Sequence, residues 1–191
     1  MARPKAFDPA QIVPLVGQVF RVRGYAGASL ATLEEATGLG RQSLYDTFGD
    51  KAGLFASALA HEVAAEEARI AQLFDEAAAG VSALRAYLLG RATRVLEQGG
   101  CVFAWAALER GADPGVQQAL SSLQTRLLGA VATVLAIAVR RGEVRGTAPV
   151  AALARAVVNH WASVPVRVGS GATLSDLTAD LEALIGILRG R

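Results

Sequence analysis

Apolar residues recur at helical spacing along nearly the whole chain, as in Ile12, Leu15, Val16, Val19 and Phe20, where the steps of three and four gather them on one face. No segment alternates in the two-residue period of a strand, so the pattern predicts an all-α fold. Gly and Pro interrupt the periodicity at Gly24 and Gly27, Gly38 and Gly40, Gly80, Gly99 and Gly100, Gly111 to Gly115, Gly142 to Pro149, and Gly169 to Gly171. These breaks predict about nine helices, near 9–23, 30–37, 41–47, 51–78, 81–98, 101–110, 114–141, 149–168 and 174–189. The second and third are short and the later ones long. With no internal repeat and no low-complexity linker, the first three are expected to form a headpiece joined to the rest by a continuous fourth helix. The expected domains are therefore 1–50 and 51–191.

The stretch Ser29 to Phe55, SLATLEEATGLGRQSLYDTFGDKAGLF, carries the most information. Ser29 is placed to cap a short helix whose apolar face includes Leu30, Leu33 and Ala36. Gly38 supplies the positive-φ corner of a sharp turn between helices. After the corner, Leu39, Leu44 and Phe48 anchor a second short helix, from which Arg41, Gln42, Ser43, Tyr45, Asp46 and Thr47 project. A short polar helix held by apolar pegs is what reading a DNA major groove about 12 Å wide requires. Arg41 suits guanine O6 and N7, and Gln42 suits adenine N6 and N7; each good pair discriminates by roughly 1 to 3 kcal/mol. Ser29, Ser43, the Tyr45 hydroxyl, Thr47 and Lys51 are expected to contribute backbone-side contacts, Lys51 at the start of the fourth helix, where free N–H groups favour an anion. Asp46 has two readings, an acceptor for cytosine N4 or a repulsive neighbour of the phosphates.

Composition narrows the setting. The chain has 191 residues, 52% of them hydrophobic, enough to bury a substantial core. Its formal net charge of +2 is too small to argue for nucleic acid, but the distribution is uneven. Arg3, Lys5, Arg21 and Arg23 stand near the N-terminus against Asp8, whereas Glu62, Glu66, Glu67, Asp75 and Glu76 make the segment after residue 60 acidic. The basic end is the expected DNA-facing end, although solvated surface accounts equally well for the charges alone. Of the 19 basic residues only Lys5 and Lys51 are lysine, a bias read as genomic base composition. The longest apolar runs, such as Leu127 to Val139, are interrupted by Gly129 and Thr133 and fall short of the roughly 18 residues of a membrane span. Neither a membrane helix nor an export signal is expected, and a cytoplasmic location follows. A single cysteine, Cys101, excludes an intrachain disulfide and a cysteine-based metal cage. No metal and no cofactor are expected.

At these residues the chain resembles the TetR family of bacterial repressors. GLGRQSLYDTFGDKAGLF is similar to that family's recognition helix and its junction with the fourth helix, through Gly38, the Leu44–Tyr45 pair, Phe48 and Lys51. Phe20, Gly24, Tyr25 and Ser29 also fall where the family has an aromatic, a glycine-aromatic pair and a cap. The likeness covers about residues 9 to 59. Glu34 stands where a small or apolar residue is usual and Thr32 replaces a frequent acid, departures expected to loosen the first motif helix. The resemblance implies an effector pocket within helices four to seven and a four-helix dimer interface built from the last two helices of each copy.

For that interface the apolar positions are Val157, Trp161, Val164, Leu177, Leu181, Leu184 and Leu188, with Ala152, Ala154, Ala156 and Gly186 small enough for close packing. Such faces serve a core equally well, but two-fold DNA reading favours a dimer. Pocket candidates are Phe74, Tyr87, Cys101, Phe103, Trp105, Glu109, His160 and Trp161, since aromatics with a few polar groups suit a small organic ligand. They are equally what a core contains. The segment GGCVFAWAALERGADPGV resembles the Gly-Cys start of helix six in one branch of the family, some members of which sense oxidants or electrophiles there. Cys101 is thus read either as a sensor thiol favoured by a helix N-terminus or as a buried residue.

Catalytic signatures are lacking. His61 and His160 have no neighbouring ligand pattern, there is no G-x-S-x-G elbow, and Gly38-x-Gly40 lacks the rest of a phosphate loop. The sequence predicts a regulator that binds operator DNA as a homodimer, not an enzyme, and a repressor released by a small-molecule or reactive effector. The alternative is a helical ligand-binding protein or enzyme without specific DNA binding.

Overall fold

The computed structural model describes residues 7–145 and 148–190, so Arg3 and Lys5 lie outside the described residues. The described chain is all-helical: α1 (Pro9–Gly27), α2 (Leu30–Thr37), α3 (Arg41–Phe48), α4 (Lys51–Asp75), a 3-10 turn (Glu76–Ala79), α5 (Val81–Glu97), α6 (Val102–Arg110), α7 (Pro114–Arg140), α8 (Val150–Ala162), α9 (Val164–Gly169) and α10 (Leu174–Arg189). The helix expected over 149–168 is divided at Ser163, and Pro165 falls in the first turn of α9, where its missing N–H costs least. The first helix runs past residue 23 only through a break at Gly24, whose φ of 72° is open to glycine.

Among the described residues the chain packs as two compact units, one drawn from 1–65 and 101–120, the other from 66–100 and 121–191. Packing therefore does not divide at residue 50: the first unit keeps the N-terminal part of α4 and recruits α6 and the start of α7. Its core centres on Phe20, Phe55, Leu33, Leu44 and Leu54, each at most 1% exposed, together with Val102 and Ala106 of α6. Phe20 and Phe55 meet edge to face with ring centroids 5.0 Å apart, and Tyr25 meets Phe55 at 5.3 Å. An ion pair between Arg21 of α1 and Glu62 of α4 closes this unit at its half-buried margin. Arg21 is thus engaged within the fold and not part of a free basic end.

In the second unit α10 packs on α5, burying Leu177, Leu181, Ile185 and Leu188. The capping box at Thr173 and Asp176 starts α10: the Thr173 hydroxyl accepts the Asp176 N–H at 3.2 Å, and the Asp176 carboxylate accepts the Thr173 N–H at 2.8 Å. One expectation is corrected by α7, which is long and apolar enough, by length and composition, to cross a membrane. Gly129 and Thr133 do not interrupt it, because the Thr133 hydroxyl donates to the Gly129 carbonyl at 3.0 Å and is satisfied inside the helix. Val131, Val134, Leu135 and Ala138 of α7 are fully buried, the inward stripe of a core helix.

Candidate nucleic-acid interface

The two short helices are fixed by local chemistry at both ends. Ser29 caps α2 by accepting the Thr32 N–H at 3.1 Å, and its hydroxyl also contacts that of Thr32 at 2.7 Å. Gly38 ends α2 in the left-handed region at φ 68°, donating its N–H to the Glu34 carbonyl at 2.8 Å. Gly40, the residue before α3, has no side chain with which to cap it. The acceptor comes from Glu34, whose carboxylate takes the Arg41 N–H at 2.6 Å. The expected loosening is therefore corrected: Glu34 joins α2 to the N-terminus of α3, where a negative charge is favoured.

On α3, Leu44 is fully buried, while Tyr45 and Phe48 are half-buried against the same core. With these positions turned inward, the helical period leaves Arg41, Gln42, Ser43 and Asp46 exposed and Thr47 partly so. The Gln42 amide donates to Asp46 at 2.7 Å, so Asp46 orients the side chain one turn before it. Arg41 lies 5.4 Å from the Tyr45 ring, within cation–π range. Lys51 is half-buried with its ammonium 4.7 Å from the centre of the Tyr25 ring. The expected anion site at the start of α4 is already served internally, because the Asp50 carboxylate accepts the Gly53 N–H at 2.8 Å.

Behind the motif, α6 clamps the break in α1. The Trp105 indole N–H donates to the Arg21 carbonyl at 3.1 Å, and the Glu109 carboxylate accepts the N–H groups of Tyr25 at 2.5 Å and Ala26 at 3.1 Å. Arg110 lies 4.5 Å over the Tyr25 ring and is paired with Asp113 at 2.6 Å, which holds the Asp113 carboxyl below its usual value. Trp105 and Glu109, read from sequence as pocket residues, thus support α1. Their role was hidden because the partners lie 84 residues away in the chain.

The remaining candidates are divided between the two units. Cys101 is buried at the cap position of α6 and Phe103 packs against the core of the first unit. In the second unit Phe74 is 42% exposed, His160 is half-buried, and Trp161 is buried with Arg91 5.2 Å from its ring. Tyr87 alone of the eight lines the cleft formed by α4 and α5. Of the residues expected at a dimer interface, Val157, Trp161, Val164, Leu177, Leu181 and Leu188 are at most 5% exposed within the single chain, and Leu184 is half-buried. Among the described residues, no group of three or more His, Cys, Asp or Glu is arranged to hold a metal ion.

Comparison with known proteins agrees with this architecture. Residues 18–58 match the model of bacterial regulatory proteins of the tetR family, and residues 77–168 match a tetracyclin repressor-like C-terminal domain. The uncharacterized HTH-type transcriptional regulator YezE of Bacillus subtilis is 48% identical over 59 residues, 31% of this chain and 30% of that protein. The HTH-type transcriptional repressor BdcR of Escherichia coli is 31% identical over 99 residues, 52% of this chain and 50% of that protein. The chain thus spans half or less of the length of these curated relatives. Among solved structures, the TetR family regulator CifR, in a cysteine mutant complexed with 26-base-pair operator DNA, is 26% identical with a TM-score of 0.77, covering 96% of this chain and 98% of that one. From the two matched models and the fold they share with it, the chain belongs to the TetR family of bacterial regulatory proteins.

Proposed function

We propose that the protein is a homodimeric transcriptional repressor that reads operator DNA with α3 and leaves it when a small molecule binds. The observation that carries this reading is the exposed triplet Arg41, Gln42 and Ser43 on the first turn of a helix whose next residue, Leu44, is fully buried. A buried anchor behind exposed donors lets Arg41 and Gln42 meet base edges, while Ser43, Thr47, Lys51 and Ser29 meet phosphates. Asp46 acts through Gln42, steering its amide. CifR, complexed with operator DNA, and BdcR, named a repressor, support the same assignment.

Two-fold binding asks for a partner copy with recognition helices about 34 Å apart, one turn of duplex. The surface best suited to it is the outward face of α8 and α10, where Ala152, Ala156, Ala179, Ala183 and Ile187 retain exposure. Small residues there permit two copies to approach closely. Helix α4 contributes to both compact units, and ligand binding in the second is expected to change the spacing of the headpieces through it. The functional division remains a headpiece of about 1–50 and a regulatory body of 51–191, acting in the cytoplasm on chromosomal DNA.

A gel-shift titration with the DNA upstream of the protein's own coding region tests the reading. Tight, competitor-resistant binding that weakens steeply with salt is expected. Binding indifferent to DNA sequence would overturn it.

A further inference from the structure

In the second unit three arginines surround one buried carboxylate. Glu66, 3% exposed, accepts the Tyr87 hydroxyl at 2.6 Å and the Arg69 guanidinium at 2.9 Å. Arg91 approaches it at 3.6 Å and Arg94 at 3.9 Å. Burial pushes the Glu66 carboxyl upward, but Arg91, Tyr87, Arg94 and Arg69 together outweigh it and keep Glu66 ionised. One negative charge therefore faces three positive ones. The Nη2 of Arg94 is buried with no hydrogen-bond acceptor, since Glu66 lies beyond bonding distance. The Arg94 and Arg69 side chains keep 29% and 33% of their surface exposed, so guanidinium donors not spent on Glu66 stay open to an arriving anion.

Arg69, Arg94 and Tyr87 line a cleft of about 170 Å³ between α4 and α5. Its apolar lining is Leu73, Ala83 and Ala86, of which Ala86 is the exposed one. Glu76, the acid in the lining, is hydrogen-bonded to the Gln72 amide at 2.9 Å. We propose that this cleft binds a small organic carboxylate, its carboxylate on Arg94 and Arg69 and its short apolar body against Leu73, Ala83 and Ala86. The apolar wall distinguishes such a ligand from a bare inorganic oxyanion, and the volume limits its body to a few carbons. As an effector class this rests on the repressor reading; as a binding site it does not.

The test is isothermal titration calorimetry of the full chain, without DNA, using butanoate and, separately, inorganic phosphate. Saturable butanoate binding is expected, weakened at least tenfold in Arg94→Met and in Ala86→Leu, which fills the cleft but keeps its arginines. Arg85→Met, which removes a surface arginine paired with Glu182, should bind as the parent does. Should Arg94→Met fail to melt cooperatively, Ala86→Leu decides. Absence of saturable butanoate binding, full binding by Ala86→Leu, or equal affinity for phosphate overturns the proposal. Operator gel shifts of the same samples, with and without butanoate, separate the two ideas: loss of DNA recognition sinks the regulator and leaves the calorimetric result standing.

Discussion

The Glu109 carboxylate of α6 accepts the backbone N–H of Tyr25 at 2.5 Å, directly after the break that Gly24 makes in α1. A helix interrupted there exposes N–H groups with no intrahelical acceptor, and Glu109 satisfies two of them. Glu109→Ala should therefore lower stability by about 1 kcal/mol, the usual worth of such bonds at an exposed site. Gly24→Ala should cost more, because a Cβ there meets Glu109 and Trp105 at 3.0 Å and the backbone has φ 72°. Urea titration followed by Trp fluorescence checks both; equal stability of all three proteins would refute the clamp.

On α3, packing and reading are separable by mutation. Leu44→Ala removes a fully buried side chain and should cost about 2–5 kcal/mol, visible as a lower urea midpoint. Arg41→Ala and Gln42→Ala should leave that midpoint within about 0.5 kcal/mol, as expected for exposed positions. Each should instead lose roughly 1–3 kcal/mol of discrimination at one operator base pair. Lys51→Ala should weaken binding to all sequences alike and flatten the salt dependence by about one charge. Competition gel shifts against single-base operator variants distinguish these patterns.

Glu66 predicts the acid behaviour of the second unit. Its folded carboxyl lies below its usual value, so it adds stability above the unfolded value near 4.3, and that stability is lost as the pH falls through the lower folded value. Glu66→Gln should destabilise strongly at pH 7, by about 3–5 kcal/mol if all three arginines lose their counter-charge. Below pH 4 the difference between the two proteins should shrink. Thermal melts from pH 3 to 7 measure both trends, and a constant difference across that range would contradict the assignment.

The dimer proposal separates inward from outward positions on α10. Ile187 is 72% exposed and Leu181 is 5% exposed in the single chain. Ile187→Asp, with Ala183→Glu beside it, should yield a folded monomer by light scattering after gel filtration. Leu181→Asp should instead abolish folding, because it buries an unpaired charge. A dimer that survives the outward pair of changes would move the interface elsewhere.

Much of this was readable from local pattern. Gly38, Ser29 and the 3.6-residue spacing of Leu30, Leu33, Leu44 and Phe48 act within a few residues of one another, so the two motif helices and their turn could be written down from the sequence alone. The apolar stripes of α8 and α10 were equally visible, but a stripe does not say whether it faces its own core or a second copy. For the buried stripe of α10 the neighbour within the chain is α5, which no local pattern names.

What the chain determined by itself was therefore its all-helical character, most of the helix breaks, and the polar set on α3. Only the tertiary structure decided that Glu34 caps α3, that Trp105 and Glu109 brace α1, and that Glu66 gathers Arg69, Arg91 and Arg94. Helix periodicity is written in neighbours three and four residues apart, whereas a carboxylate's partner is whichever donor the packing carries to within about 3 Å, and sequence separation places almost no constraint on that.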